Sequence, residues 1–490
     1  MKIEEMISAA RADCSGCSAC ANICPKNAIE MIRDAEGFSY PKINPELCIK
    51  CGRCDSTCPA LNFRKKIVEK LPATFAAIHP DEKILRHSSS GGIFSALSEI
   101  ILQNGGVVFG AAFDKNWRVV HTSAETLNEL ENLRGSKYAQ SQIGLVYRQA
   151  KKSLEAGRKV LFSGTPCQCA GLKHFLGKDY ENLLKIEILC HGVPSPGLWE
   201  NYIGEIGYAH PITHINFRSK RNGWASNMDI NFADQGHILT ANSKNLYGKL
   251  FLRGITERPS CSVCKCKFPN GEADLSIGDA WGIKDFAPEM YNELGTSIIF
   301  VHTEKGNNFF RQMNLIKKQI KFRNVAKSSF MIPLAADSRR EKFFAEIAKS
   351  ATPIAVMQKY FLEDTTEIRK EASRKSSRIY NEIYNAVAAH IRQKFEKNIL
   401  IVAAPHEDFE KQFPNCGLYF LYINDKGQLI CKENFSSLTF EQKDSAALTD
   451  LVKKFNVAEI FVEEPPKIES PVVTDWLKNC GLLVQTLKSK

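Results

Sequence analysis

CSGCSACANICP at residues 14–25 has the same cysteine spacing as CIKCGRCDSTCP at residues 48–59. Each stretch has the form C-x2-C-x2-C-x3-C and is followed directly by a proline. In such a run, three closely spaced thiolates bind one cubane iron-sulfur cluster and the fourth cysteine reaches the neighbouring cluster. The repeat therefore predicts two 4Fe-4S clusters in the first sixty or so residues.

The exchange of the fourth cysteine between the two runs predicts two ligand sets. The first is Cys14, Cys17, Cys20 and Cys58, and the second is Cys24, Cys48, Cys51 and Cys54. A pair of zinc knuckles is the alternative, since C-x2-C pairs also bind tetrahedral zinc, but zinc requires neither the further cysteines nor the prolines. The segment resembles the bacterial two-cluster ferredoxin fold.

The rest of the composition is that of a globular chain with several domains. The 490 residues are 44% hydrophobic and 24% charged, and no apolar run approaches the length of a membrane span. The first residues, MKIEEMISAARADC, do not read as a secretory signal, so we expect a cytoplasmic location. In a reducing compartment, 17 cysteines indicate metal ligation or redox chemistry rather than disulfides.

The net charge of +11 does not by itself select a partner. Nucleic acid, an anionic substrate and an acidic redox protein would all be attracted to a basic chain. No motif for nucleic-acid binding accompanies the charge. We therefore expect a small anionic organic substrate and a redox protein, and neither nucleic acid nor a membrane span.

Four regions are predicted, and together they give a multi-domain α+β and α/β protein. Residues 1–62 form the ferredoxin-like head and residues 73–345 a central α/β domain. Residues 346–397 form a basic helical connector and residues 398–490 a small α/β unit of unknown role. Within the central region, helical patterns alternate with buried strands such as VVFGAAF, KVLFSG and LKIEILC, which predicts parallel strands.

The C-terminal unit shows five strand patterns and two helical ones. The strands are NILIVAAP, GLYFLYIN, QLICKENF, AEIFVEE and LLVQTLK, and the helices are SAALTDLVKKF and VVTDWLKN. Asp425, Lys426 and Gly427 form a plausible hairpin turn. The basic stretch from Arg369 to Arg378 lies in a helical pattern and is read as a solvated helix face.

A third group of cysteines lies in the central region. Cys167 and Cys190 each follow a buried strand, so parallel strands would bring both thiols to one edge of the sheet. Cys261 and Cys264 come from a distant C-x2-C pair and would complete a set of four. Counting cysteines does not exclude Cys169 or Cys266 as ligands, a structural zinc, or a nucleophilic Cys167 with His191 as its base.

Seven strings in the central region carry a resemblance to a known family. They are SSSGGIFSAL, RGSKYAQS, GTPCQCAGL, LCHGVPSPGLW, INFRSKRNGW, RPSCSVCKC and ADLSIGDAWGI. Over residues 73–345 the chain resembles the family of coenzyme F420 hydrogenase and dehydrogenase beta subunits, some of which have the same two-cluster head. The resemblance implies FAD beside a third 4Fe-4S cluster whose ligands are Cys167, Cys190, Cys261 and Cys264.

Two segments are candidates for contacts with FAD. Ser88, Ser89, Ser90, Gly91 and Gly92 open a helix, where backbone N–H groups, hydroxyls and the helix dipole favour a pyrophosphate. Ser136, Lys137 and Tyr138 form a second candidate contact. Local capping explains such serines equally well without any ligand.

The predicted function is that of a flavin-dependent iron-sulfur oxidoreductase. Neither a nicotinamide-binding fingerprint nor a nucleotide-hydrolysing loop occurs in the sequence. We expect electrons to pass between a ferredoxin-like carrier and an organic substrate, with coenzyme F420 as one candidate substrate. The alternative is a non-catalytic electron-relay subunit of a larger redox complex. The sequence identifies no catalytic residue.

Overall fold

The computed structural model describes most of the first 363 residues and five strands beyond them. The described residues are 2–5, 13–64, 66, 71–208, 210–325, 333, 337–363, 399–403, 418–423, 429–435, 459–463 and 483–487. The chain divides into two compact units, the first comprising residues 1–66 and 71–380 and the second residues 67–70 and 381–490. The head and the central region therefore lie in one unit.

The head consists of two cysteine loops, two short helices and a hairpin. The helices are Ala19–Ile23 and Arg53–Thr57, and the antiparallel strands are β1 (Ile29–Arg33) and β2 (Ser39–Ile43). One helix follows each loop, so the two repeats of the sequence have the same local structure. The outcome agrees with the predicted ferredoxin-like head.

The central region contains eleven strands within the described residues. They are β3 (Ala73–Ile78), β4 (Val107–Phe113), β5 (Val119–Ala124), β6 (Val160–Gly164), β7 (Leu183–Ile188), β8 (Ile212–Asn216), β9 (Asn227–Phe232), β10 (His237–Ala241), β11 (Leu275–Asp279), β12 (Ser297–Val301) and β13 (Ile316–Gln319). The principal helices are Ile93–Gln103, Leu127–Leu133, Val146–Glu155, Pro166–Leu176, Pro196–Ile206, Leu246–Leu252, Glu304–Gln312, Arg340–Lys349 and Pro353–Leu362. Shorter helices are Glu82–Arg86 and Ile283–Phe286, with 3-10 turns at Pro259–Cys261, Pro288–Met290 and Phe322–Asn324.

The main sheet has eight strands in the order β13-β3-β12-β11-β7-β6-β4-β5. The four central strands β4, β6, β7 and β11 are parallel, as the alternation of helices and strands predicts. The flanking strands β5, β12, β3 and β13 pair antiparallel, so the sheet is mixed rather than parallel throughout. Strands β8, β9 and β10 form a separate antiparallel sheet.

Apolar side chains cover both faces of the main sheet. On one face the helix Ile93–Gln103 packs over the strands, and on the other the helices Val146–Glu155 and Pro166–Leu176 do so. Burial on both faces explains why β6 begins with three consecutive apolar residues, 160–162. Cys17 and Ala19 of the head belong to the second of these apolar clusters, so the head packs directly on the central region.

The described residues of the second unit form one sheet of five strands. These are β14 (Ile399–Ala403), β15 (Leu418–Ile423), β16 (Leu429–Phe435), β17 (Glu459–Glu463) and β18 (Leu483–Leu487), in the order β16-β15-β14-β17-β18. All five predicted strands are therefore confirmed. The two predicted helices, the 425–427 turn and the basic stretch 369–378 lie outside the described residues.

Candidate iron-sulfur and cofactor site

The two cysteine loops of the head share an unusual backbone conformation. Gly16 and Lys50 occupy the same position in their motifs, with φ of 69° and 51°. Ser18 and Gly52 are also equivalent, with φ of 60° and 70°. Left-handed backbone at these positions winds each loop tightly and turns its N–H groups inward. Such N–H groups are suited to donate hydrogen bonds to sulfur.

The first predicted ligand set lines a cavity in the head. The residues that line it include Cys14, Cys17, Cys20 and Cys58, together with Ile3, Met31, Pro41, Pro59 and Ala60. Burial raises the pKa of the Cys17 thiol to about 12, and the nearby Cys58 thiol contributes to the rise. Thiols of high pKa must release protons when they bind a metal. The chemistry of this lining, four thiols in an apolar wall, fits an iron-sulfur cluster.

The second predicted set lies nearer the surface. Cys51 is exposed, and Cys24, Cys48 and Cys54 are half-buried. The Sγ of Cys24 accepts a hydrogen bond from the Ala28 N–H at 3.3 Å. Leu47 and Ile49, on either side of Cys48, are 50% and 57% exposed. Two exposed apolar side chains therefore flank Cys48 at the protein surface, where Lys50 and Arg53 are exposed as well.

The third predicted set comes together at the carboxyl ends of the parallel strands. Cys167 follows β6 and Cys190 follows β7, so both lie at one edge of the sheet, as expected. Burial raises the pKa of Cys190 to about 12, with Lys267 lowering it and the Cys167 and Cys264 thiols raising it further. The Sγ of Cys261 accepts a hydrogen bond from the Val193 N–H at 3.4 Å.

Local sequence explains the position of Cys167. Thr165 and Gln168 form a capping box in which Gln168 Oε1 accepts the Thr165 N–H at 2.9 Å, and Pro166 begins the helix Pro166–Leu176. Cys167 therefore lies in the first turn of that helix. Burial nevertheless raises the pKa of this thiol to about 11, so the helix terminus does not make it a thiolate.

The two undecided cysteines differ in their surroundings. Cys169 is fully buried, and its thiol donates a hydrogen bond to the Ile186 carbonyl at 3.5 Å, as a core residue would. Cys266 hydrogen-bonds with Cys264 and thereby lowers the pKa of the Cys264 thiol to about 6. Cys266 therefore borders the third set, whereas Cys169 faces the sheet.

The first and third sets are neighbours. A Cβ added at Gly171, on the helix that carries Cys167, would lie 3.0 Å from the Cβ and 3.1 Å from the Sγ of Cys17. The Cys17 thiol also interacts electrostatically with the Cys167 thiol. Sulfur atoms of the head and of the central region therefore lie against the same helix, and the glycine permits this approach.

The nucleophilic alternative for Cys167 finds no support in the contacts. Cys167 Sγ lies 3.1 Å from Thr165 Oγ1, while the half-buried His191 packs edge-on against Phe251 and its Nε2 has no partner in the described part of the chain. A nucleophile and base pair of Cys167 and His191 is thus not formed there. Among the described residues, no group of three or more His, Cys, Asp or Glu side chains is placed to hold a metal ion, and this holds for the iron-sulfur sets as much as for zinc.

The structure places the two segments predicted to contact FAD next to each other. Several of their polar groups, however, form hydrogen bonds within the protein. Ser136 donates from its N–H to the Ser89 Oγ at 2.8 Å. The hydroxyls of Ser88 and Ser90 donate to the carbonyls of Ile84 and Thr296 at 2.7 and 2.9 Å. The hydroxyls of Ser88 and Ser90 thus have main-chain acceptors in this structure, and their contact with FAD stays a prediction.

The other residues predicted to contact FAD also have contacts or structural roles within the protein. Gly91 donates its N–H to Ser297 Oγ at 2.8 Å, and Gly92, with φ of 82°, is the N-cap of the helix Ile93–Gln103. Lys137 donates its Nζ to the carbonyls of Asn132 and Arg134. Tyr138 Oη accepts from Arg218 Nη1 at 3.3 Å.

Two lysines give this region a positive potential. Lys220 Nζ donates to the carbonyls of Leu85 and Ser90, and no carboxylate among the described residues forms an ion pair with Lys220 or Lys137. Burial lowers the pKa of each lysine to about 7. A bound anion would favour their charged forms and offset the cost of burial. The donors present thus fit a phosphate-bearing cofactor.

An aromatic stack lies beside the same segment. Trp224 and Trp281 stack with ring centroids 4.7 Å apart, and Trp281 is 52% exposed. A Cβ added at Gly295 would lie 3.1 Å from both Ser90 Cα and Trp224 Cδ1, so the stack adjoins the serine segment. An exposed aromatic face of this kind suits a planar ring ligand.

A buried ion pair anchors the stack. The two Nη atoms of Arg218 lie 2.6 and 2.9 Å from the Oδ atoms of Asp279, and Trp224 Nε1 donates to Asp279 at 3.0 Å. The loop 218–224 and the end of β11 therefore meet. The ion pair makes Arg218 a structural cation rather than a free anchor for a substrate.

Three family profiles match the chain. The profile described as 4Fe-4S dicluster domain matches residues 13–62. The N-terminal and C-terminal profiles of the Coenzyme F420 hydrogenase/dehydrogenase beta subunit match residues 74–146 and 157–328, which is half of the chain. The chain belongs to the family of coenzyme F420 hydrogenase/dehydrogenase beta subunits. The resemblance of the seven strings is confirmed, and an iron-sulfur dicluster domain precedes the family's region.

Relatives within this family of F420 beta subunits are redox proteins. One subunit of the F(420)H(2) dehydrogenase of Methanosarcina mazei is 25% identical over 314 residues, which are 61% of this chain and 81% of the relative. Coenzyme F420-dependent sulfite reductase of Methanocaldococcus jannaschii is 25% identical over 323 residues, 62% of this chain and 46% of the relative. This chain is thus an iron-sulfur member of an oxidoreductase family.

One solved structure of a similar protein is the F420-reducing [NiFe] hydrogenase complex from Methanosarcina barkeri. The match has 18% identity and a TM-score of 0.37 and covers 61% of this chain and 93% of that chain. No described helix of the present family member is long and apolar enough to cross a bilayer.

Two buried charged residues near the family's cysteines were not predicted. Arg258 precedes Cys261 by three residues and is 1% exposed, and Glu187, near the end of β7, is 2% exposed. Arginine and glutamate are almost always exposed unless paired, so neither position stands out in the sequence. The only available signal was the RPSC string itself, in which Arg258 adjoins a predicted ligand.

Asp279→Ala is expected to lower the free energy of unfolding by about 3–5 kcal/mol, because it leaves the buried Arg218 guanidinium unpaired. Anaerobic urea denaturation followed by tryptophan fluorescence measures this change. Glu289→Ala, which breaks the exposed Lys318–Glu289 pair, is the matched control and should leave the transition unchanged. Equal transitions for the two variants would contradict the structural role of Asp279.

Glu187→Gln is expected to raise stability at high pH. Burial raises the pKa of Glu187 to about 7, although the Ser276 hydroxyl lowers it, and one carboxylate oxygen has no partner among the described residues. Because the folded pKa lies above the unfolded one, wild-type stability is complete below about pH 4.5 and falls until about pH 7. The loss approaches about 3 kcal/mol above pH 7.

Thermal unfolding of both proteins at pH 5 and pH 8 tests this expectation. The midpoint of the Glu187→Gln variant should exceed that of the wild type at pH 8, and the difference should shrink at pH 5. A difference that is independent of pH would show that Glu187 does not titrate as its burial requires.

Proposed function

We propose that this chain is an iron-sulfur flavoprotein oxidoreductase that exchanges electrons between a protein carrier and a small organic substrate. The predicted boundaries are kept as part of the proposal: a two-cluster head at 1–62 and a flavin and iron-sulfur domain at 73–345. The observation that carries it is the approach of Cys17 in the head to the helix that holds Cys167 in the central region.

Three ligand sets are proposed. Cys14, Cys17, Cys20 and Cys58 would hold the first cluster; Cys24, Cys48, Cys51 and Cys54 the second; and Cys167, Cys190, Cys261 and Cys264 the third. When bound, 4Fe-4S clusters supply one-electron chemistry. The chain contributes the thiols, the backbone N–H donors to sulfur and an apolar enclosure that excludes water from the first set.

The solvent exposure of the three cysteine sets indicates which set a partner protein would reach. The second set is the one with an exposed cysteine and with exposed Leu47 and Ile49 beside it. A protein partner such as a ferredoxin or another redox subunit would therefore dock at the second set. The first set adjoins the third, since Cys17 of the first set lies against the helix that carries Cys167.

FAD is the proposed cofactor of the central region. It would be held by Ser89, Ser136 and the start of the helix Ile93–Gln103, with Lys137 and Lys220 supplying positive charge. FAD supplies exchange between two-electron and one-electron chemistry. The pair of half-buried Trp224 and exposed Trp281 would stack against a planar ring, and coenzyme F420 is a candidate substrate because relatives carry its name.

One observation favours the second candidate, a non-catalytic relay subunit. The hydroxyls of Ser88 and Ser90 and the N–H of Gly91 are bonded within the protein, which leaves fewer donors for a flavin than the sequence indicates. In that case a partner subunit would hold the flavin and the active site.

Flavin analysis of anaerobically purified full-length protein separates the two candidates. The proposal predicts about one FAD per chain and reduction of added coenzyme F420 by the dithionite-reduced protein. Ser136→Ala removes the hydroxyl that lies 2.9 Å from Ser89 Oγ and should lower the flavin content, whereas Ser123→Ala, on the edge strand β5, should not. Protein that holds its irons but neither retains nor binds added FAD would be a relay subunit.

A further inference from the structure

Arg258 is a buried cation that is held by neutral groups. Its Nε donates to the Cys14 carbonyl at 2.7 Å and its Nη1 to Gln140 Oε1 at 3.0 Å. Its Nη2 donates to the Ser39 carbonyl at 3.0 Å and lies 3.7 Å from the Cys14 Sγ. No carboxylate in the described part of the chain pairs with it, so the protein retains an uncompensated buried charge at a cost in stability.

The guanidinium lies between two of the cysteine sets. It contacts the sulfur of Cys14 in the first set, and its charge also acts on the thiol of Cys167 in the third set. Its own backbone lies three residues before Cys261, in the RPSC string. Arg258 thus joins the head to the central region beside both the first and the third set.

The first cysteine loop leaves room for the Arg258 guanidinium at Gly16, which has no side chain. A Cβ added at Gly16 would lie 2.8 Å from Arg258 Nη1, so a side chain at this position would displace the guanidinium. The equivalent position of the second loop is Lys50, which adopts the same left-handed backbone with a full side chain. Backbone conformation alone therefore does not require glycine at position 16, whereas the approach of Arg258 does.

We propose that Arg258 sets the reduction potential of the cluster on Cys14, Cys17, Cys20 and Cys58. This inference rests on the proposed function, in which that set holds a 4Fe-4S cluster. A cluster gains one negative charge when it accepts one electron, and no bond forms or breaks. A buried positive charge beside a ligand sulfur stabilises the reduced form strongly, because the surroundings screen it weakly. Arg258 is a positioning and electrostatic residue rather than a catalytic one.

Redox titration of anaerobic full-length protein, followed by electron paramagnetic resonance, tests the proposal. When the solution potential is held near the midpoint potential of the wild-type first cluster, Arg258→Met should lower the ratio of reduced to oxidised first cluster at least tenfold. The second cluster serves as an internal reference and should keep its ratio of reduced to oxidised forms. Its proposed ligands are Cys24, Cys48, Cys51 and Cys54. Arg258→Lys keeps the charge and should change the ratio less than the methionine variant does.

Arg53→Met is the matched control, because Arg53 is an exposed arginine of the second loop. It should leave the first cluster unchanged. An Arg258→Met protein with wild-type iron content and an unchanged ratio would overturn the proposal.

Gln140→Glu decides the question if Arg258→Met fails to hold its irons. This nearly isosteric change places a carboxylate on Arg258 Nη1 and should lower the same ratio by partly cancelling the charge. An unchanged ratio in iron-loaded Gln140→Glu protein would overturn the proposal as well. Wild-type protein without iron would instead refute the proposed function.

Discussion

Cys261→Ser is expected to lower the iron content of anaerobically purified protein from about twelve to about eight atoms per chain, because each cubane requires its full set of ligands. The Cys261 Sγ accepts the Val193 N–H and interacts electrostatically with the thiols of Cys190, Cys264 and Cys167. The head has its own eight cysteines and should keep its clusters and their spectra. Colorimetric iron analysis with electron paramagnetic resonance of the reduced protein measures both effects.

Cys169→Ser is the matched control for that experiment. Cys169 is two residues from Cys167 but its thiol donates to the Ile186 carbonyl, which a serine hydroxyl can also do. This variant should keep about twelve irons. A Cys261→Ser protein with the same iron content as the control would show that the third ligand set is assigned wrongly.

Gly171→Leu is expected to disrupt the contact between the head and the central region. The added side chain would overlap the Cys17 thiol and the Tyr147 hydroxyl, whose oxygen lies 2.8 Å from the position of the new Cβ. Overpacking of this kind costs about 1–3 kcal/mol of unfolding free energy. Displacement of Cys17 should also remove about four irons, those of the first cluster.

Gly204→Leu provides the control for Gly171→Leu. Gly204 lies in the helix Pro196–Ile206, and a Cβ there would have no atom within 4 Å. The same substitution in open space should keep the irons and raise stability by up to about 1 kcal/mol, since glycine is a poor helix former. Equal iron content and equal urea midpoints for the two variants would contradict the docking of Cys17 on this helix.

The features that were predictable from the sequence depend on local spacing. The repeated C-x2-C-x2-C-x3-C runs specify matching loops, and the structure has left-handed backbone at the same positions in both. Cys167 and Cys190 were expected at one sheet edge because buried runs alternate with helices, and β6 and β7 are indeed parallel. Strand patterns in the C-terminal region were equally clear, since all five occur.

The features that were missed depend on contacts between distant residues. The apolar pattern of β12 does not reveal its direction, so its antiparallel pairing with β11 and β3 could not be predicted. The serine hydroxyls at positions 88 and 90 bind main-chain carbonyls that only the folded chain brings near. Arg258 is buried because the head covers it, and sequence composition assigns arginine to the surface.

The central claim is that thiols of this chain hold three iron-sulfur cubanes, two in the head and one in the central region. Determination of iron, zinc and acid-labile sulfide in the same anaerobic sample tests it most directly. Three bound clusters correspond to about twelve irons and about twelve sulfides per chain, and we expect no stoichiometric zinc. Protein that contains zinc without labile sulfide would contradict it.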